Sequence, residues 1–260
     1  LSTLELQHSE AFQSEIPQEP IRADVSGRIF ITSQQDWDDL ISAGKCIGLG
    51  IEANPYIIYD LIIDGENSFS AIHITTRDKY YRIENCVIFN ATQGIRLFYP
   101  TRATIRYCNL SGFDTGLYVD GDWQSESEVI VNNNTFSNNN NFGIEFYQVY
   151  KGEIYNNNFT NNQDYAIKSG NSNNLTFYNN NFARTFDDDE DAVYISYGLH
   201  CDFYDNTFIE ADIWYYDVAS SNISGNEFYR CDVSLDHGSK WVHGYNNYFN
   251  DGSFWFTWSS

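Results

Sequence analysis

The chain has 260 residues, with 36 Asp and Glu against 14 Lys and Arg, giving a net charge of −22 at pH 7. That length holds one domain or slightly more, and that charge argues against nucleic acid as a partner, because phosphate would be repelled. No apolar run is long enough to span a bilayer, and none of the five Cys has the spacing of a metal site.

Residues 1–27 are polar, contain Pro17 and Pro20 and show no periodicity, so they read as an N-terminal arm or linker. The chain begins at Leu1 and not at Met, which fits a removed leader or a trimmed sequence. Residues 28–55 predict a strand, Ile29-Phe30-Ile31-Thr32, and then a helix running from a Ser33 cap to Ala43, with Asp36 at its start and Gly44 at its end. Trp37, Leu40 and Ile41 share one face of that helix, which is expected to plug an otherwise open end of the repeat region at 56–260.

From Tyr56 onward the sequence repeats. Ile63, Ile88, Leu110, Phe136, Phe159, Phe182, Phe208, Phe228 and Phe249 recur at intervals of 20 to 26 residues. Five residues before each stands an apolar residue, Ile58, Ile83, Ile105, Val131, Ile154, Phe177, Phe203 or Ile223, and only Gly244 breaks the set. Two residues before it come Leu61, Cys86 and Cys108, then Asn134, Asn157, Asn180, Asn206, Asn226 and Asn247. A further strand recurs as Ile72, Ile95, Leu117, Ile144, Ile167, Val193, Ile213, Val233 and Phe254. Short strands with β-branched and aromatic inward columns exclude a helical solenoid. The pattern predicts an all-β, right-handed parallel β-helix of about nine rungs with an N-terminal helical cap. The Asn column is expected to take the tight bend through left-handed backbone and to hydrogen-bond along the stack. Cys86 and Cys108 share a column on adjacent rungs; stacked inward thiols and a disulfide both suit that spacing.

The run Ile31-Thr32-Ser33-Gln34-Gln35-Asp36-Trp37, the lead-in Asn54-Pro55-Tyr56-Ile57-Ile58 and the later Asn-Asn-x-Phe repeats resemble the NosD-like right-handed β-helix proteins, in particular surface and secreted members of archaeal type. That resemblance covers about residues 29–256 and implies an extracellular or periplasmic location and recognition of carbohydrate or a cell-surface partner. It implies no catalytic set. The acidic, Lys-poor, Tyr- and Asn-rich composition also predicts an extracellular protein, and six sequons, at Asn90, Asn109, Asn133, Asn158, Asn174 and Asn222, are partly the product of that Asn content.

Strand alternation forces His73, Arg96, Tyr118, Glu145, Lys168, Tyr194, Trp214, Ser234 and Trp255 outward in one file. At one rung per 4.8 Å they would span roughly 40 Å, the reach of several sugar units, and aromatic planes offer apolar faces to sugar C–H groups. The competing reading is a solvated sheet face on which Glu145 and Lys168 merely pair. Two longer connections, at Asp120–Glu128 and Arg184–Asp191, are expected to stand on opposite edges of this floor as walls. Asp187, Asp188, Asp189 and Asp191 could present oxygens to Ca2+, although a solvated charge run is the heavier alternative. If the chain were a polysaccharide lyase or hydrolase, Glu145 and Lys168 would be its acid–base pair, yet the file supplies no second carboxylate opposite Glu145. His237 and His243 read as structural. Lastly, Phe254–Ser260 ends in exposed-looking aromatics, which suit either end-to-end self-association or a plug formed by Trp258.

Overall fold

The computed structural model describes residues 25–122, 126–183 and 192–256. In them a parallel β-coil follows directly from the alternation in the sequence. Each full rung carries three strands, as in Lys151–Tyr155, Asn158–Thr160 and Tyr165–Gly170. Strands of the first kind stack into one sheet, from Tyr56–Tyr59 to His243–Tyr245, and the other two kinds form a larger sheet around the remainder of the cross-section. In the first two rungs the latter pair are fused into Ile62–Thr75 and Val87–Phe98.

The repeat register is the structural register. Ile63 pairs with Ile88, Leu110 with Phe136, and Phe136, Phe159, Phe182, Phe208, Phe228 and Phe249 pair in succession, all parallel. Nine rungs, and so eight turns between them, result. The inward columns are buried up to the last rung, where Phe249 and Phe254 are partly buried, and they make one continuous core. Ring centroids of the six Phe lie 4.6 to 5.0 Å apart with planes within 11° of parallel. Such contacts add about 0.5–1.5 kcal/mol per pair beyond the burial itself.

The Asn ladder bonds as its chemistry requires. In each step one Oδ1 accepts both the backbone N–H and the Nδ2 of the preceding Asn, for example Asn180 from Asn157 at 3.0 and 3.1 Å. Each Nδ2 also donates to a backbone carbonyl, so that Asn180 reaches Ile154 O at 2.8 Å. The left-handed bend, however, belongs to the residue before the ladder column: Asp60, Asn85, Tyr107, Asn133, Asn156, Asn179, Asp205 and Asn246 have φ of 53–55°, and Gly225 has 70°. The reason is geometric. The ladder side chain must point inward, so its predecessor makes the corner and is itself most often Asn or Asp, which tolerate that conformation. A shorter second ladder, Asn139 to Asn162, closes another corner in the same way, with Nδ2 to Oδ1 at 2.8 Å.

The helix α1 (Gln34–Ser42) sits at the first end. Ser33 and Asp36 form a reciprocal capping box, and hydrogen bonds from the Thr32 and Ser33 backbones hold the Asp36 carboxyl below its ordinary range. Trp37 is completely buried, stacked on Tyr56 at 4.3 Å and tilted against Tyr81 at 5.8 Å, with Leu40 and Ile41 packed beside it. The plug expected from one helical face is therefore a single large ring set over the inward residues of the first rungs. Val25–Ser26 and Ile29–Ile31 also pair parallel with Ile62–Thr75, so the pairing starts before the cap. At the other end Gly244 breaks the apolar column because the Phe254 ring occupies the place of its side chain: a Cβ there would lie 2.8 Å from Phe254 Cζ. All five thiols are free and buried, and burial raises Cys46 and Cys231 to about 11 and Cys201 to about 12. Cys86 is raised as well, beside the Cys108 thiol with which it is stacked.

Candidate functional site

The outward file lies in strict register. His73, Arg96, Tyr118, Glu145, Lys168, Tyr194, Trp214, Ser234 and Trp255 are consecutive parallel partners, and Phe30 of the cap extends the row by one. Every member is at least partly exposed, Phe30 and Trp255 at 50% and 56%. Nine steps of about 4.8 Å carry the row over roughly 43 Å.

Two residues along each strand runs a second outward file, which the single-column reading overlooked: Thr75, Phe98, Asp120, Tyr147, Gly170, Ser196, Tyr216 and Asp236. The same alternation that finds the first file finds this one, since positions i and i+2 share a face. Together they divide the floor into three stretches. In the first, the Arg96 guanidinium lies 4.7 to 4.9 Å from the Phe69, Phe98 and Tyr118 rings, and His73 stacks on Phe30 at 4.7 Å. Burial, with the charges of Arg96 and Arg28, pulls the His73 imidazole below its ordinary pKa, and its Nε2 meets Thr75 Oγ1 at 2.9 Å. In the last stretch Tyr194 and Trp214 are 5.0 Å apart, and Tyr216 is backed by His237 at 4.4 Å and by Tyr197 edge-on at 5.5 Å. Thus His237 acts as a buttress.

The middle stretch carries the charges. Lys168 Nζ is 3.9 Å from Glu145 Oε1 and 4.7 Å from the Phe142 ring centroid. Burial raises Glu145 against the opposing charges of Lys168 and Arg96, and raises Asp120 against that of Arg96. Asp120 lies on the floor, one strand from Glu145 and two residues along, because Tyr118 pairs with Glu145 and Asp120 with Tyr147. No carboxylate stands opposite Glu145, whose strand partners are Tyr118 and Lys168; a second floor carboxylate, Asp120, occupies the next outward column. Tyr118 between them is raised by burial and then by both carboxylates.

Of the two expected walls, residues 123–125 and 184–191 lie outside the described residues, and with them Asp187, Asp188, Asp189 and Asp191. Among the described residues no group of three or more His, Cys, Asp and Glu is placed to hold a metal ion, and no helix is long and apolar enough to cross a membrane. Trp258 and Ser260 are likewise outside, so the plug and stacking readings of the last segment rest on residues not described. What is described there leaves Trp241, Tyr245 and Tyr248 more than half exposed. The opposite sheet also bears aromatics, Tyr155 stacked on Tyr178 at 4.7 Å, in a file that sequence reading passed over.

The family model described as right handed beta helix region matches residues 41–182. No curated protein matches the chain. Among solved structures, an alginate lyase from Paenibacillus sp. str. FPU-7 aligns with a TM-score of 0.44 and 13% identity, over 78% of this chain and 85% of that one. Tailspike protein 3 of bacteriophage CBA120 aligns at 0.42 and 12%, over 78% of this chain, which spans about half (48%) of the tailspike's length. PfbA, a surface adhesin of Streptococcus pneumoniae, aligns at 0.30 and 11%, over 80% and 76% of the two chains.

Proposed function

This chain belongs to the right-handed β-helix family, and we propose that it is a non-catalytic extracellular module, of the NosD-like surface type, that holds a glycan along the floor. The observation that carries this reading is the unbroken in-register row from Phe30 to Trp255, with rings at both ends and hydrogen-bonding groups between them. A polymer with a repeat along its axis suits a surface with a repeat along its axis, and solenoids use their extended faces in this way. Aromatic side chains lose little freedom on binding and present broad apolar faces with wet edges. The test is a glycan array followed by titration of any hit. Tyr194→Ala combined with Trp214→Ala is expected to weaken binding by roughly tenfold or more, as removal of central aromatic anchors does elsewhere. Undiminished binding by a folded double variant refutes the floor assignment.

One observation favours a second reading, cleavage of the bound chain. Asp120 and Glu145 share the floor and both are raised by burial, as a carboxyl kept protonated to act as an acid would be. That reading expects reducing or unsaturated ends to be released from an acidic polysaccharide and the release to vanish in Glu145→Gln. Absence of release across a panel of acidic polysaccharides refutes it.

A further inference from the structure

On the opposite sheet, at the helix-capped end, the strands Tyr56–Tyr59, Tyr80–Glu84 and Arg102–Arg106 lie side by side. Alternation turns Ile57, Arg82 and Thr104 outward in one row, and Tyr80 with Arg102 in the next. A cavity of about 360 Å³ lies between these strands and the connection Gly48–Pro55, with Glu52 and Pro55 on one side and Tyr80, Arg82, Arg102 and Thr104 on the other. The connection is fixed by backbone alone. Leu49 N donates to Asn54 O and Asn54 N to Ile51 O, both at 3.0 Å, and Tyr80 N ties the strand to Gly50 O at 3.1 Å. Gly48 has φ of 103°, and a Cβ there would lie 1.9 Å from the Pro55 carbonyl, so only glycine lets the two ends of the connection meet. The cavity wall is thus built before any ligand arrives.

Further along the same sheet the cations are matched: Arg106 lies 2.6 Å from Glu84 and Lys151 2.8 Å from Glu128. Arg82 is not. Its Nε is buried and has no hydrogen-bond partner among the described residues. The carboxylate two residues along its own strand, Glu84, is taken by both Nε and Nη2 of Arg106. In a chain with 36 acidic residues to 14 basic ones, a guanidinium left unmatched at a cavity is a donor waiting for an acceptor. Arg102, beside it, is held only at longer range, 3.4 Å from Glu128 and 3.6 Å from a Glu52 side chain that is 72% exposed. Arg82 and Arg102 against Glu52 leave the lining one positive charge, which one carboxylate neutralises and a dianion exceeds. Planar guanidinium forks fit a carboxylate through paired hydrogen bonds, and the hydroxyls of Tyr80 and Thr104 suit further hydroxyls on the ligand. The volume is at the small end of ligand sites, the size of one sugar unit. We infer that this cavity binds a sugar acid, one carboxylate on a body of monosaccharide size, with Arg82 as its principal counter-ion. The site is separate from the floor and independent of how the floor is read.

D-glucuronate, D-galacturonate, D-gluconate, D-glucose and D-glucose 6-phosphate are titrated against the protein by NMR at constant ionic strength. At least one of the three acids is expected to bind, more tightly than glucose or the phosphate. Arg82→Gln is expected to weaken that acid by roughly tenfold or more. Arg230→Gln, which removes the same charge near the far end of the coil, is expected to leave it unchanged. Glu52→Gln is expected to tighten it, because the side chain that competes for Arg102 has lost its charge. Should Arg82→Gln melt at a lower temperature than the parent, Arg82→Lys takes its place; it keeps the charge, lacks the fork, and is also expected to weaken binding. Equal affinity in a folded Arg82 variant, or equal weakening by Arg230→Gln, overturns the site. Binding of none of the acids, or glucose or the phosphate binding as tightly as the best acid, overturns the ligand class.

Discussion

Replacing Asn180 by Ala tests the ladder at its centre. The side chain is 2% exposed and takes part in four hydrogen bonds: its Oδ1 accepts from Asn157 N and Nδ2 at 3.0 and 3.1 Å, and its Nδ2 donates to Ile154 O and Asn206 Oδ1 at 2.8 and 3.0 Å. Alanine deletes all four. Asn206 Oδ1 keeps the Asn180 backbone N–H at 2.9 Å, and Asn157 Nδ2 keeps Val131 O and Tyr155 O. Asn157 N, in contrast, loses this acceptor in the buried interior. With about 1 kcal/mol net per bond and about 1–3 kcal/mol for an orphaned buried donor, partly overlapping, the expected loss is about 3–5 kcal/mol. Asn247 on the last rung is the control, because it is only half-buried and water can replace what it gives up; Asn247→Ala is expected to cost less than about 1.5 kcal/mol. Urea unfolding followed by circular dichroism measures both. Equal losses in the two variants, or a loss below about 1 kcal/mol for Asn180→Ala, would refute the argument that the ladder stabilises through buried satisfaction.

Glu145 should impose a pH dependence. Its folded pKa is raised above the ordinary 4.5, so its contribution is fully present below that value and is lost as pH rises through the folded pKa. Glu145→Gln should therefore raise the melting temperature at pH 7, with the gain disappearing below about pH 4.5; a gain that persists at acid pH contradicts burial as the cause. Gly143→Ala places a Cβ 2.6 Å from the Ala166 carbonyl and is expected to destabilise by about 1–3 kcal/mol, measured by thermal melting against Gly170→Ala, which should lose less than about 1 kcal/mol. The five thiols should all resist Ellman's reagent in the folded protein and all react in denaturant without reductant. Three reactive thiols in denaturant would show that Cys86 and Cys108 are joined.

The repeat was legible because each turn of the coil imposes the same demands, so Ile, Phe and Asn recur wherever the backbone presents the same site. The floor was legible for the same reason, and the nine positions read outward from His73 to Trp255 are all in one row. Less legible were features that one column cannot carry. The left-handed corner falls on Asn133, Asn156 and Asn179, one place before the ladder, and in an Asn-Asn pair composition does not say which residue turns and which points inward. Asp120 is a floor residue that a file of one outward position per strand does not contain, because each strand presents two. Gly143 and Gly170 look alike in the sequence; a Cβ would lie 2.6 Å from the Ala166 carbonyl at the first and 3.6 Å from the Tyr147 ring at the second. Phe30 escaped because its strand lies in the cap, outside the period.

The spacing of Phe136, Phe159 and Phe182 is 23 residues twice over, and those rungs share their ladder bonds, ring stack and pairing register. A gene that lost or duplicated the stretch encoding one such block would still encode a chain whose interior fits. The molecule would become shorter or longer by about 4.8 Å, and the exterior row would lose or gain one side chain. Recombination can thus lengthen or shorten the exterior row without inventing any new interior, so that its extent is set by counting.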